Sequence, residues 1–186
     1  MTAFVTENRI LDREECLPRA ELAALQLERL RQVIERVSHV PFYRDAFALR
    51  GIGAKSLHSL DDLRRLPFTT KDDLRRHHPL GFLTVPREKL ARIHGSSGTT
   101  GTPTFVAYSH ADLKLWANLC ARFLVSGGLR PEHTVQVAFG YGLFTGGFGL
   151  HSGIEYVGAT VIPIASGNTR RQIELMQDLG SEVLVC

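Results

Sequence analysis

The chain has 186 residues, 44% of them hydrophobic and 22% charged, with 17 glycines and 8 prolines. That composition excludes a disordered tail and a small disulfide scaffold, and it leaves room for one sizeable core or two small ones. A net charge of +3 is too small to argue for nucleic acid, and no apolar run approaches the roughly 20 residues of a membrane span.

The N-terminal stretch, Met1 to Arg9, lacks the apolar segment of a secretory leader. The three cysteines, Cys16, Cys120 and Cys186, show no metal-ligand spacing, and a reducing cytoplasm is the simplest compartment. Pro18 suits the first turn of a helix. Leu22, Leu25, Leu30, Val33 and Val37 follow at near-helical spacing, and Pro41 is read as its stop. Leu60, Leu63 and Leu66 mark a short second helix. Thr70 and Asp73 form a capping box that opens a third, ended by Pro79.

Residues 1–94 hold 30 charged side chains and three glycines, whereas residues 95–186 hold 11 and 14. This shift predicts a helical N-terminal lobe over 1–94 and an α/β subdomain over 95–186. In the second part, Leu90 to His94 and Thr104 to Ser109 read as strands around a Gly/Ser/Thr loop. Ser109 and Asp112 cap a helix to about Ser126, with Leu113, Trp116, Leu119, Cys120 and Phe123 expected on its buried face. Strands at Thr134 to Phe139, Ala159 to Ile164 and Glu182 to Cys186 then alternate with helices at Gly146 to Tyr156 and Thr169 to Leu179. That order predicts a mostly parallel sheet with crossover helices. An apolar strand at the last residues is expected of a fragment.

Three segments could carry chemistry. In Gly95-Ser96-Ser97-Gly98-Thr99-Thr100-Gly101-Thr102-Pro103, glycines at intervals of three let backbone N–H groups converge, and five hydroxyls add donors. Phosphate oxygens need such a cradle; a linker between the lobes has the same composition. Gly140-Tyr141-Gly142-Leu143-Phe144-Thr145-Gly146-Gly147 follows a strand and opens a helix, where open α/β sheets bind ligands. Thr145 breaks the dinucleotide pattern. The aromatics either wall a pocket or pack the core around a tight turn. Gly167-Asn168-Thr169-Arg170-Arg171 offers an anion site, or more simply an N-cap at Asn168. His94, next to the loop, is read first as structural. The aspartate pairs 61–62 and 72–73 complement helix dipoles.

Ser96-Ser97-Gly98-Thr99-Thr100-Gly101 followed by Pro103 resembles the phosphate loop of the adenylate-forming ligases. Leu66-Pro67-Phe68-Thr69-Thr70-Lys71-Asp72-Asp73-Leu74-Arg75, Val40-Pro41-Phe42-Tyr43-Arg44, the Gly140–Gly147 segment, Gly158-Ala159-Thr160-Val161-Ile162-Pro163 and Gly167 to Gln172 together resemble the phenylacetate–coenzyme A ligase branch. The resemblance implies the first part of that family's large N-terminal domain. It implies activation of an aryl acid by ATP and Mg²⁺ to an acyl-adenylate, then transfer to coenzyme A with release of AMP. Ser96, Ser97, Gly98, Thr99, Thr100 and Gly101 would bind the ATP phosphates; Phe139, Tyr141, Gly142 and Phe144 would line the aryl-acid pocket. The family's catalytic lysine is expected beyond this chain, which alone is expected to be inactive, and no metal-ligating residue is assigned.

Thr102 and Thr104 stand where many members carry lysine, which removes a local positive charge. The expected partners are small molecules, not nucleic acid or membrane, and helical lobes of this kind leave a homodimer open. Three alternatives stay open: a related ligase for another aryl acid, a short non-catalytic binding module of the same fold, and a linker-joined helical adaptor with no nucleotide site.

Overall fold

The computed structural model describes residues 10–96 and 103–186. Helix α1 (Arg19–Val37) follows Pro18, whose fixed φ prepares a first helical turn. Its Ile34 is buried with Phe47, Ile52 and Leu57. Pro41 does not merely end this helix. It opens another, α2 (Pro41–Arg50), because proline is excluded from helix interiors but favoured where its missing N–H would be unpaired anyway. Gly51, at φ +60°, closes α2 in the left-handed conformation that a side chain would strain. On α2, Phe42 meets His77 and Phe82 edge to face, and Tyr43 meets Phe82 in the same way.

The second expected helix is a 3-10 segment, Leu60–Arg65, and the third is α3 (Lys71–Arg76). The capping box of α3 is formed as read. The Thr70 N–H and hydroxyl donate to Asp73 at 2.8 and 2.6 Å, and the Asp73 N–H returns to Thr70 at 3.2 Å.

Strands β1 (Leu90–Gly95) and β2 (Phe105–Ser109) form an antiparallel ribbon in which Gly95 faces Phe105. β2 passes directly into α4 (His110–Ser126), capped by Ser109. There follow β3 (Thr134–Val137), α5 (Gly146–Val157), β4 (Thr160–Ile162), α6 (Thr169–Leu179) and β5 (Val183–Val185). The last three strands are parallel in the order β4-β3-β5, with α5 and α6 as the crossovers. The expected parallel sheet is therefore present, and it coexists with the antiparallel ribbon.

Alternation along β3 sorts the two faces. Val135 and Val137 are fully buried with Ala121, Val125, Ile154 and Val157. Gln136, between them, points to the other face. Its amide nitrogen donates to the Gln172 carbonyl at 3.0 Å and to the Gln172 side-chain oxygen at 2.7 Å. Gln172 in turn donates to the carbonyls of Ala165 and Gly167. A buried amide pair whose groups are partnered ties α6 to the sheet, whereas an unpartnered one would destabilise it.

Helices α4 and α5 approach closely because two glycines of α5 leave space. A Cβ on Gly149 would lie 2.6 Å from the Trp116 indole, and one on Gly153 would lie 2.6 Å from the Cys120 Cβ. This contact sets the rotation of α4 and corrects part of its expected face. Ala121 and Val125 are buried, while Leu119 and Phe123 are 49% and 68% exposed. Trp116 and Cys120, two of the residues expected on the buried face, do meet α5; Leu119 and Phe123 do not share that side. Among the described residues, no helix is long and apolar enough to cross a membrane.

Candidate functional site

β4 and β5 lie on opposite sides of β3, so the chain reverses its winding there. In an open sheet of this type the crevice beyond the carboxyl ends of the strands at such a reversal holds the ligand. The segment leaving β3 is the glycine- and aromatic-rich turn 138–145. The Ala138 N–H still bonds the Val185 carbonyl at 2.8 Å, which keeps the start of this turn beside β5.

Phe139 lines a cleft of about 520 Å³ with Phe123, Leu150 and the run Val183 to Cys186. Phe139 and Phe144 converge on Gly146, whose missing side chain makes room for both. A Cβ there would stand 2.8 Å from the Phe139 ring and 3.4 Å from that of Phe144. Phe144 is 56% exposed. Gly142 stands in open space, with nothing within 4 Å of where its Cβ would be.

Tyr141 belongs to a different cleft, of about 380 Å³, lined also by Arg92, Phe148, His151 and Pro163. Its hydroxyl lies 3.1 Å from His151 Nδ1, and His151 Nε2 lies 3.2 Å from Glu155. Burial first, and then the negative charge of Glu155, push the Tyr141 phenol above its ordinary value. It therefore stays protonated at neutral pH and can donate to His151. The Arg92 guanidinium sits 4.8 Å over the Phe148 ring. The structure thus brings two of the four aryl-pocket candidates together and places Tyr141 apart from them. The sequence reading singled out none of Arg92, His151 and Glu155. The four-residue spacing of His151 and Glu155 on one helix was a usable signal; Arg92 had none.

Ser97, Gly98, Thr99, Thr100 and Gly101 lie outside the described residues. Ser96 and Thr104 are described, and they close the base of the segment. The Ser96 N–H donates to the Thr104 carbonyl at 3.0 Å, and the Thr104 N–H to the Ser96 hydroxyl at 3.1 Å. The Thr104 hydroxyl also reaches Ser96. Thr104 thus ties Ser96 to the start of β2.

The turn is fastened to the strand that runs into this loop. The Leu143 carbonyl accepts two hydrogen bonds, from the Gly95 N–H and from His94 Nδ1, each at 2.9 Å. A Cβ on Gly95 would meet the end of the Leu143 side chain at 2.9 Å, so the missing side chain eases this approach. At the third segment, the Asn168 side chain accepts the Arg171 N–H at 3.2 Å, which is the N-cap reading. Among the described residues there is no group of three His, Cys, Asp or Glu able to hold a metal ion.

No family model matches the chain. In sequence it is 51% identical over 173 residues to a phenylacetate–coenzyme A ligase of Thermus thermophilus, covering 92% of this chain and 39% of that protein. It is 44% identical over 179 residues to the phenylacetate–coenzyme A ligase of Escherichia coli K12, covering 96% of this chain and 41% of that one. Among solved structures it resembles a 2-hydroxyisobutyryl-CoA ligase in the postadenylation state with 2-HIB-AMP. There the TM-score is 0.86 at 30% identity, over 96% of this chain and 39% of that one. The same ligase with 2-HIB-AMP and CoA in the thioesterification state gives 0.82 at 35% identity, over 94% and 38%. The chain therefore spans about two-fifths of the proteins it matches.

Proposed function

We propose, for a chain that belongs to the phenylacetate–coenzyme A ligase family and corresponds to the N-terminal part of its fold, that it contributes the nucleotide loop and part of the acid pocket to an aryl-acid ligase. The carboxylate oxygen of the acid attacks the α-phosphorus of ATP and pyrophosphate leaves. The thiolate of coenzyme A then attacks the acyl-adenylate carbonyl, and AMP leaves with the bonding electrons of the broken C–O bond. Both steps depend on holding charged reactants in line and on offsetting charge at the phosphates.

The observation that carries this reading is the position of the turn 138–145. It stands at the winding reversal of the sheet, with Phe139 and Phe144 beside Gly146. It is also hydrogen-bonded to the residues that immediately precede the hydroxyl-rich loop. Ser96 to Gly101 would bind the β- and γ-phosphates, and Phe139, Phe144 and the space over Gly142 would take the aryl group. Tyr141, in its own cleft, is proposed to act on the pocket by holding the turn. The side chains at the described end of the loop are hydroxyls, which suit an anion. Mg²⁺ would ride on the phosphates. Aryl acid, ATP and coenzyme A are the proposed partners, and the cytoplasm is the proposed compartment.

The test is phenylacetate-dependent ATP–pyrophosphate exchange, measured on this chain and on the complete gene product side by side. Exchange in the complete product, and none in this chain alone, is the expected result. No exchange in the complete product with any acid of an aryl panel would move the reading to a non-catalytic binding module.

A further inference from the structure

His94 is 2% exposed and sits in an aromatic cage. The rings of Tyr108, Trp116 and Phe148 stand edge-on to it, with centroids 5.4 to 5.8 Å away. Because a carbonyl can only accept, the bond to Leu143 fixes the proton on Nδ1 and leaves Nε2 as a bare acceptor. Among the described residues, that buried Nε2 meets no hydrogen-bond partner. Burying a polar atom unpartnered destabilises the fold. A phenylalanine would fill the same cage without that cost. If packing alone decided position 94, an imidazole would be a poor choice. What the imidazole adds is one donor, and it reaches the carbonyl that the Gly95 N–H also reaches.

We infer that His94 is a positioning residue that fixes the acid-binding turn against the strand end that leads into the nucleotide loop. The inference rests on the functional reading above and adds a residue to it. Two donors on one carbonyl hold Leu143, and with it the turn between Phe139 and Phe144, at a set distance from Ser96. Attack on the α-phosphorus requires acid and ATP to be placed relative to one another within a fraction of an ångström. A clamp between the segments that hold them acts on both substrates together, although His94 itself is shut away from solvent.

The variants are His94→Phe, which keeps the ring and removes the donor, and His94→Asn, whose amide nitrogen occupies the place of Nδ1. In the complete gene product, His94→Phe is expected to melt no lower than the parent, because the orphaned nitrogen is gone. Its kcat/KM for exchange falls about 10- to 100-fold, with KM raised for both ATP and the acid. His94→Asn recovers exchange to within about 3-fold of the parent, since it restores the bond.

Hydrogen–deuterium exchange supplies a readout independent of activity. Residues 140–147 and the Gly95 amide exchange faster in His94→Phe and regain protection in His94→Asn. Should His94→Phe not fold, His94→Met removes the donor with a more adaptable side chain. Equal behaviour of the donor-less variant and the Asn variant, whether both active or both impaired, overturns the inference. If the parent shows no exchange with any acid, the functional reading fails, and protection of the turn alone decides whether the clamp exists.

Discussion

The two halves of the molecule use their polar groups over different ranges. Among the described residues of the helical half, the ion pairs it makes within itself all lie within one turn. Arg65 pairs with Asp62 at 3.1 Å, Arg75 with Asp72 at 3.0 Å, and Arg76 with Asp73, each three residues apart. In the α/β half the consequential bonds are distant in sequence. Gln136 meets Gln172 across 36 residues, the Thr134 N–H meets Glu182 across 48, and His94 meets Leu143 across 49. The first pattern builds helices that each stabilise themselves. The second fixes where one segment lies against another, which is what a site made of several loops requires.

The contrast can be tested by breaking contacts of each kind. The largest effect is expected at the α4–α5 contact. Gly153→Val places side-chain atoms against the Cys120 Cβ and the Ala121 backbone, and it should cost about 3 kcal/mol or more of stability in urea unfolding. Gln136→Leu keeps the bulk at a fully buried position but leaves the Gln172 side chain and carbonyl without their donor. A loss of about 1 to 3 kcal/mol is expected by the same measurement. Ser109→Ala removes a helix cap whose hydroxyl accepts the Asp112 N–H at 3.2 Å, for a loss of about 1 kcal/mol.

Asp62 gives a pH test. The N–H groups of His58 and Ser59, then Arg65, lower its pKa to about 2. Its stabilising contribution is therefore complete above the ordinary aspartate value of about 4 and is lost as the pH falls toward about 2. In Asp62→Asn that part of the pH dependence should disappear from an acid unfolding titration. The smallest effect is expected at Arg64 and Asp61, both 86% exposed and 3.6 Å apart. Arg64→Ala should leave the unfolding midpoint where it is.

This difference in range also decides what could be read from the sequence. The capping boxes at Thr70 and Ser109 were legible because cap and partner lie three residues apart and leave a fixed spelling. The alternating order of strands and helices was legible because each element is periodic. The α2 helix was misread because Pro41 was taken only as a stop, when its chemistry suits a start equally well. On α4, Trp116 and Cys120 were placed correctly, but Leu119 and Phe123 were not, because the rotation of the helix is set by Gly149 and Gly153 on another helix and nothing within α4 records them. At the site, the turn after β3 was found from its glycines and aromatics. The division of Phe139 and Phe144 from Tyr141 was not found, since it depends on which cleft each ring faces after the turn has folded. His94 was noticed only for its neighbourhood; the carbonyl it holds is 49 residues away.

The central claim is that the nucleotide loop and the turn 138–145 form one site for an acyl-adenylate. Calorimetric titration of the complete gene product with a non-hydrolysable phenylacetyl-adenylate analogue tests it most directly. The parent should bind one equivalent. Gly98→Val, in the loop, and Gly146→Ala, which crowds Phe139 and Phe144, should each weaken binding at least about 10-fold, as expected when a close-fitting site is filled or distorted. Saturable binding that neither substitution alters, or no binding by the parent, would contradict the account.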